Sequence, residues 1–246
     1  RQRLPRAGDS RLLLTASADQ SAKLWDVATG RNLFDFPHRG PVKSVAWSDD
    51  ERSFVTASDP FGMEVPASIN LYEFASKAEE QSDKPVKVIV DDKDPRVLIS
   101  NVAWLPLNTG IVATYSNGTL AVVDPRTGEK LITRAAHEGN ITSLAFNRHK
   151  TLAITSSTDR RAKLWDVATW EVIKTFETDT PLNGASISPR REHVVVGGGQ
   201  EARDVTTTAS TAGKFEARFH HSVFGGELGR IKGHFGPINT ISFSPD

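Results

Sequence analysis

His137, a hydroxyl at Thr155 or Ser156, and Asp159 are the residue types of an acyl-transfer triad. In such a triad a carboxylate orients an imidazole, and the imidazole takes the proton of a nucleophilic hydroxyl. No Gly-x-Ser-x-Gly elbow is present to present the nucleophile. Gly197-Gly198-Gly199 has the composition of a phosphate cradle, but no Lys-Ser/Thr follows and no helix start is evident. The three glycines also fit a strand end with unusual backbone angles or a close backbone approach. His220, His221 and His234 offer imidazoles to a metal. Adjacent residues on a strand point to opposite faces, so His220 and His221 cannot chelate one ion without a bend. No pair of carboxylates stands out for acid–base work.

A repeat sets the elements that must position these residues. Ala22-Lys23-Leu24-Trp25-Asp26-Val27-Ala28-Thr29 recurs letter for letter at 162–169. Both copies alternate apolar and polar residues and end in Trp-Asp before a turn, which is the pattern of a half-buried strand. Asp19 and Asp159 each lie six residues before the Trp, at Trp25 and Trp165. Strand, turn Asp and Trp-Asp together resemble the WD-repeat family. The resemblance implies a second reading of the triad types. In a WD blade they join the Trp in a buried hydrogen-bond chain that ties the strands together. His137, Thr155, Ser156, Asp159 and Trp165 are the expected members, with Asp19 and Trp25 in the first unit.

The rest of the chain divides at similar intervals. The first unit has strands at 11–17, 22–27 and 32–36, with no first strand before them. The second has 42–47, 53–58, 68–74 and 86–90, lengthened by insertions at 59–66 and 75–85. The third has 98–104, 111–115, 119–124 and 130–135, with a tight turn at Asn117-Gly118 and Val123-Asp124 in place of Trp-Asp. The fourth has 141–146, 152–157, 162–167 and 171–176. The fifth has 182–188 and 193–196, loses Trp-Asp, and takes 214–221 as its fourth strand. A sixth opens with Gly233-His234 and a strand at 238–243. The first strands align at Trp47, Trp104, Phe146, Ile187 and Phe243, in steps of 57, 42, 41 and 56 residues. The two shorter steps match a propeller period of roughly 40–45 residues. Trp47, Trp104, Phe146 and Phe243 fall at equivalent positions and read as packing between blades. The expected fold is all-β, a WD-repeat β-propeller in a single domain over 1–246. About five to six blades are represented, the first and last incomplete.

Composition narrows the function classes. Of 246 residues, 30 are Lys or Arg and 30 are Asp or Glu, so no global field draws the chain to nucleic acid. Arg1, Arg3, Arg6 and Arg11 read as a solvated terminus. The absence of cysteine excludes disulfides and thiolate metal sites. No apolar run approaches the roughly 20 residues that span a bilayer. The expectation is a cytoplasmic protein without cofactor, membrane contact or direct nucleic-acid contact. Asp179, Glu201 and Asp204 fit two readings equally, a contact for a basic partner segment or solvated charge.

A narrower resemblance lies in the last third. His193-Val194-Val195-Val196-Gly197-Gly198-Gly199-Gln200-Glu201-Ala202-Arg203-Asp204-Val205 and Gly229-Arg230-Ile231-Lys232-Gly233-His234-Phe235-Gly236-Pro237 resemble the subunit i family of eukaryotic translation initiation factor 3. The specific strings cover roughly 178–246, whereas the WD pattern covers nearly the whole chain. The resemblance implies a seven-bladed propeller acting as a non-catalytic scaffold. It implies the b and g subunits as partners and the small ribosomal subunit as an indirect one. This sequence lacks the family's first blade and the end of its last, so a longer native chain is expected. The competing expectation is a generic WD adaptor that reads peptide motifs in signalling or ubiquitin pathways. It would need a ring of cationic side chains at the mouth of the propeller.

Overall fold

The computed structural model describes residues 11–62, 65–75, 80–91, 96–199 and 215–244. The short runs rich in Val, Ile and Thr form antiparallel strands throughout. The described residues contain no α-helix, and no helix long and apolar enough to cross a membrane.

Five sheets follow one another along the chain, each built from consecutive strands. Blade 1 has three strands, β1 (Leu12–Ala16), β2 (Ser21–Asp26) and β3 (Arg31–Pro37). Blade 2 has β4 (Val42–Trp47), β5 (Ser53–Ser58), β6 (Ala67–Glu73) and β7 (Lys87–Asp91). Blade 3 has β8 (Ile99–Trp104), β9 (Ile111–Tyr115), β10 (Thr119–Val123) and β11 (Lys130–Ala135). Blade 4 has β12 (Ile141–Phe146), β13 (Leu152–Ser157), β14 (Arg161–Asp166) and β15 (Val172–Glu177). Blade 5 has β16 (Leu182–Ile187), β17 (His193–Gly198), β18 (Ala217–His221) and β19 (Glu227–Ile231). Four of the five sheets are the four-stranded meanders of WD-repeat propeller blades, and blade 1 shows three of the four strands. Two compact units contain them. One spans 1–115 and 120–133 and holds blades 1, 2 and most of blade 3. The other spans 116–119 and 134–246 and holds blades 4 and 5.

Within each unit, neighbouring blades bury their facing sides. Leu24 and Phe36 of blade 1 pack with Phe54 and Tyr72 of blade 2, and the rings of Phe54 and Tyr72 stack at 4.9 Å. Val55, Ala57 and Ile69 of blade 2 meet Ile99, Val102 and Trp104 of blade 3. In the second unit, Ile154, Leu164 and Phe176 of blade 4 meet Leu182, Ala185 and Val196 of blade 5. Because both faces of such a strand are covered, β5, β9, β13 and β17 read as near-continuous apolar or small runs.

A repeated irregularity stitches the blades. Every first strand of blades 2 to 5 shifts register at the same place, between Val42 and Ser44, Ile99 and Asn101, Ile141 and Ser143, and Leu182 and Gly184. A bulge releases one side chain from the ladder. Thr142 thereby donates to the carbonyl of Leu182 at 2.8 Å, and Asn183 donates to that of Ile238 at 3.2 Å. Just past the bulge, the hydroxyls of Ser44 and Ser143 accept the N–H groups of Val102 and Ala185, at 3.1 and 3.0 Å. The Thr142, Ser44 and Ser143 bonds each join one blade to the next, and the Asn183 bond ties blade 5 to the segment that follows it.

Blade 5 corrects two expectations. The segment expected as its fourth strand, 214–221, is its third, since Ala217–His221 pairs with β17. The fourth strand is Glu227–Ile231, whose five residues are all exposed and carry no alternating signal. The strand expected at 238–243 does not form. Ile238, Ile241 and Phe243 instead pack on Val195, Ala217 and Phe219 of blade 5. Apolar burial holds this segment in place, but among the described residues no second strand pairs with it into a ladder.

Candidate functional site

The third strand of blade 4 carries Trp165 beside β13, with Trp165 in register with Ala153. This brings the indole to the hydroxyl two residues further along β13. Trp165 Nε1–H donates to Thr155 Oγ1 at 2.9 Å. Thr155 in turn donates to His137 Nε2 at 2.8 Å, and His137 Nδ1–H donates to Asp159 Oδ2 at 2.9 Å. The donors all run one way, from Trp to Thr to His to Asp. The Asp159 carboxylate can only accept, so the proton sits on Nδ1, and the imidazole that burial keeps neutral accepts from Thr155 at Nε2. Asp159 also accepts the N–H groups of Glu138 and Arg161, at 3.1 and 2.9 Å. The turn that carries His137 is held by Gly118, whose carbonyl accepts the N–H of both Ala136 and His137.

Electrostatics agree with this proton placement. Burial lowers the pKa of His137, outweighing the attraction of Asp159. Burial pushes the Asp159 carboxyl up, but His137 and the two backbone N–H donors more than offset it and hold it below the usual value. The side chains of His137 and Asp159 are 0% and 6% exposed, and Thr155 is fully buried. A triad works only if a substrate carbonyl can reach the hydroxyl. Here the Thr155 oxygen already receives the indole N–H, and its surroundings are closed.

Ser156 lies outside this chain. Its hydroxyl meets those of Thr142 and Ser143, at 2.9 and 2.7 Å, on the side of β13 that stitches blade 4 to blade 5. Period-two alternation of side chains sends Thr155 and Ser156 to opposite faces.

The other blades keep, change or lose the chain. In blade 1, Trp25 donates to Thr15 at 2.9 Å. Asp19 accepts the N–H and hydroxyl of Ser21, at 3.0 and 2.6 Å, and these bonds lower its pKa. Among the described residues no imidazole joins Thr15 to Asp19. Blade 2 holds a version that the sequence reading missed. His38 Nδ1–H donates to the carbonyl of Phe36 at 2.8 Å, and Nε2 lies 2.7 Å from Thr56 Oγ1 and 3.2 Å from the Tyr72 hydroxyl. Tyr72 pairs with Phe54 as Trp165 pairs with Ala153, so it takes the place of the Trp. Burial pushes the Tyr72 pKa up to about 12. The available signal was spacing, because His38 precedes Thr56 by 18 residues, as His137 precedes Thr155. The insertion before β6 hid it by displacing Tyr72. In blade 3 the equivalent positions are apolar, Ala113 and Val123, and both are fully buried.

Blade 5 puts His220 where the Trp would stand, opposite Val194. Its ring is buried against Phe176 at 5.2 Å, and neither nitrogen has a partner among the described residues. His221, on the other face, lies 3.7 Å from Glu192, while His234 is exposed. No group of three or more His, Asp or Glu among the described residues could hold a metal ion. The glycines 197–199 end β17. A Cβ on Gly198 would lie 2.2 Å from the carbonyl oxygen of Pro181, so they allow close backbone approach. Asp179 is held by Arg218 at 2.7 Å, with 71% of its own side chain exposed. Glu201 and Asp204 lie outside the described residues.

Three imidazoles, His38, His137 and His220, titrate below the usual histidine value because burial disfavours their cations. The unfolded chain takes up these protons near pH 6.5, and the folded chain resists them. Stability is therefore complete above about pH 6.5 and falls as the pH drops toward the lowered folded values, by at most about 1.4 kcal/mol per pH unit per histidine. A melting series from about pH 8 to about pH 5 should be flat at first and then fall. A melting temperature that rose on acidification would contradict the neutral assignment.

Comparison with known proteins places this geometry in a family. The EIF3I family model matches residues 5–246. The chain is 38% identical to eukaryotic translation initiation factor 3 subunit I of Mus musculus and of Homo sapiens, over 239 residues. These matches cover 97% of this chain and 72% of each relative. The subunit of Schizosaccharomyces pombe is also 38% identical, over 96% of this chain. The repeated Trp-Thr pairs, the blade architecture and this similarity along nearly the whole chain converge, and the chain belongs to the family of eukaryotic translation initiation factor 3 subunit I.

Proposed function

We propose that this chain serves translation initiation as a non-catalytic scaffold subunit of the initiation factor 3 complex. The observation that carries the reading is similarity to subunit I along 97% of the chain. The buried state of Thr155 supports the non-catalytic part, because among the described residues the His137–Thr155–Asp159 arrangement is closed to substrate. In this reading the Trp165–Thr155–His137–Asp159 chain, with Ser156 in its own inter-blade bonds, holds the strands in place. Trp25 and Asp19 do the same in blade 1.

The b and g subunits are the proposed neighbours, and the small ribosomal subunit is met through them in the cytoplasm. Exposed blade rims serve as contacts, as is usual when a rigid scaffold presents edges and loops. Asp179 is one proposed contact for a basic segment, together with Glu201 and Asp204. Affinity purification of the tagged protein from extract of its own cells, followed by mass spectrometry, tests the reading. Recovery of b and g subunits in near-stoichiometric amounts is the expected result. Recovery of ubiquitin or signalling components without any initiation-factor subunit would replace it with the peptide-adaptor reading.

A further inference from the structure

Blades 1, 2 and 4 differ at one register position, and a cavity borders that position in blade 2. In blades 1 and 4 the residue facing the buried threonine across the ladder is a lysine, Lys23 opposite Thr15 and Lys163 opposite Thr155. Lys163 lies along its blade and donates to the carbonyl of Ala136 at 2.5 Å. In blade 2 the same position, opposite Thr56, is Asn70. Its side chain reaches two atoms less far. A cavity of about 450 Å³ lies there between blades 1 and 2, bordered by His38 and Tyr72. That volume falls within the range of ligand pockets.

The lining has a defined chemistry. Asn70 is only 7% exposed, and its amide oxygen accepts from Ser68 at 3.5 Å. No hydrogen bond among the described residues uses its amide NH₂, which borders the cavity and is open to an acceptor there. Arg39, exposed at the same cavity, has no carboxylate partner among the described residues. Val88 and Val90 of β7 form an apolar wall and are 49% and 48% exposed. They alternate along a strand that ends its sheet, so the wall has the two-residue period of an extended chain.

We propose that this cavity binds an extended acidic peptide segment. An aliphatic side chain lies on Val88 and Val90, a carbonyl accepts from Asn70, and a carboxylate pairs with Arg39. Arginine suits the last role because its planar fork matches a carboxylate.

Fluorescence polarisation with a labelled Glu-Leu-Glu-Leu-Glu peptide tests this, against Ser-Leu-Ser-Leu-Ser and Lys-Leu-Lys-Leu-Lys of the same length. The acidic peptide should bind at least about tenfold more tightly than either control, and Arg39→Glu should abolish the preference. Asn70→Lys is the decisive variant. It installs the residue that blades 1 and 4 carry, so the fold should melt as before. It also fills the cavity, so binding should weaken by about tenfold or more although positive charge is added. Equal binding of all three peptides would overturn the proposal. Tighter binding by Asn70→Lys would also overturn it, because the peptide would then be held by surface charge alone.

Discussion

His137→Ala is expected to lower the melting temperature by roughly 6–12 °C, a loss of about 3 kcal/mol for a chain of this size. The imidazole is fully buried and joins two groups that cannot reach each other without it. Its removal leaves the Thr155 hydroxyl without an acceptor and the Asp159 carboxylate with only its backbone donors. An empty space of imidazole size adds to the cost. Thr155→Val should cost less, about 1–2 kcal/mol, because it preserves shape and unpairs only the Trp165 N–H and the imidazole nitrogen. Thermal denaturation at neutral pH measures both. A hydrolytic site would behave otherwise, with His137→Ala abolishing turnover and leaving the melt unchanged, and that result would defeat the structural reading.

Gly198→Ala should destabilise by a similar or larger amount, about 3 kcal/mol or more, and Gly226→Ala should not. A methyl group on Gly198 would lie 2.2 Å from the Pro181 carbonyl oxygen and 2.7 Å from Leu182 Cα. Both are backbone atoms where β16 begins beside β17, and neither can swing aside as a side-chain end can. Gly226 has nothing within 4 Å of such a methyl. If the glycine run served a phosphate instead, Gly198→Ala would spare the melt and remove phosphate-ligand binding. Chemical denaturation of the two variants beside the parent protein separates these outcomes.

Partner capture, the acid-side melt and peptide binding probe different levels of the molecule. The melts report on buried polar groups within a blade, which a correct fold must satisfy. The peptide assay reports on one cavity where a blade departs from its siblings. A protein made of repeated units makes such departures informative, because each blade acts as a control for the others. The change of Lys to Asn at position 70 stands out only because Lys23 and Lys163 occupy the same slot.

The sequence by itself determined the repeated unit. The identical strings at 22–29 and 162–169, alternation with period two, and Asp six residues before each Trp placed 19 and 25, then 159 and 165, in equivalent turns and strands. Local rules suffice there, because alternation and turn residues act over a few neighbours. Only the tertiary structure decided what the hydroxyls do. Thr155 and Ser156 are adjacent and alike, and the face each takes depends on the register between β13 and β14, which sets Thr155 against Lys163 and Ser156 against Ala162. Register likewise revealed Tyr72 in the slot of Trp, His220 in that slot in blade 5, and Glu227–Ile231 as its outer strand. An insertion or a wholly exposed strand erases the local pattern but leaves the ladder intact, since backbone hydrogen bonds do not depend on which side chains they carry.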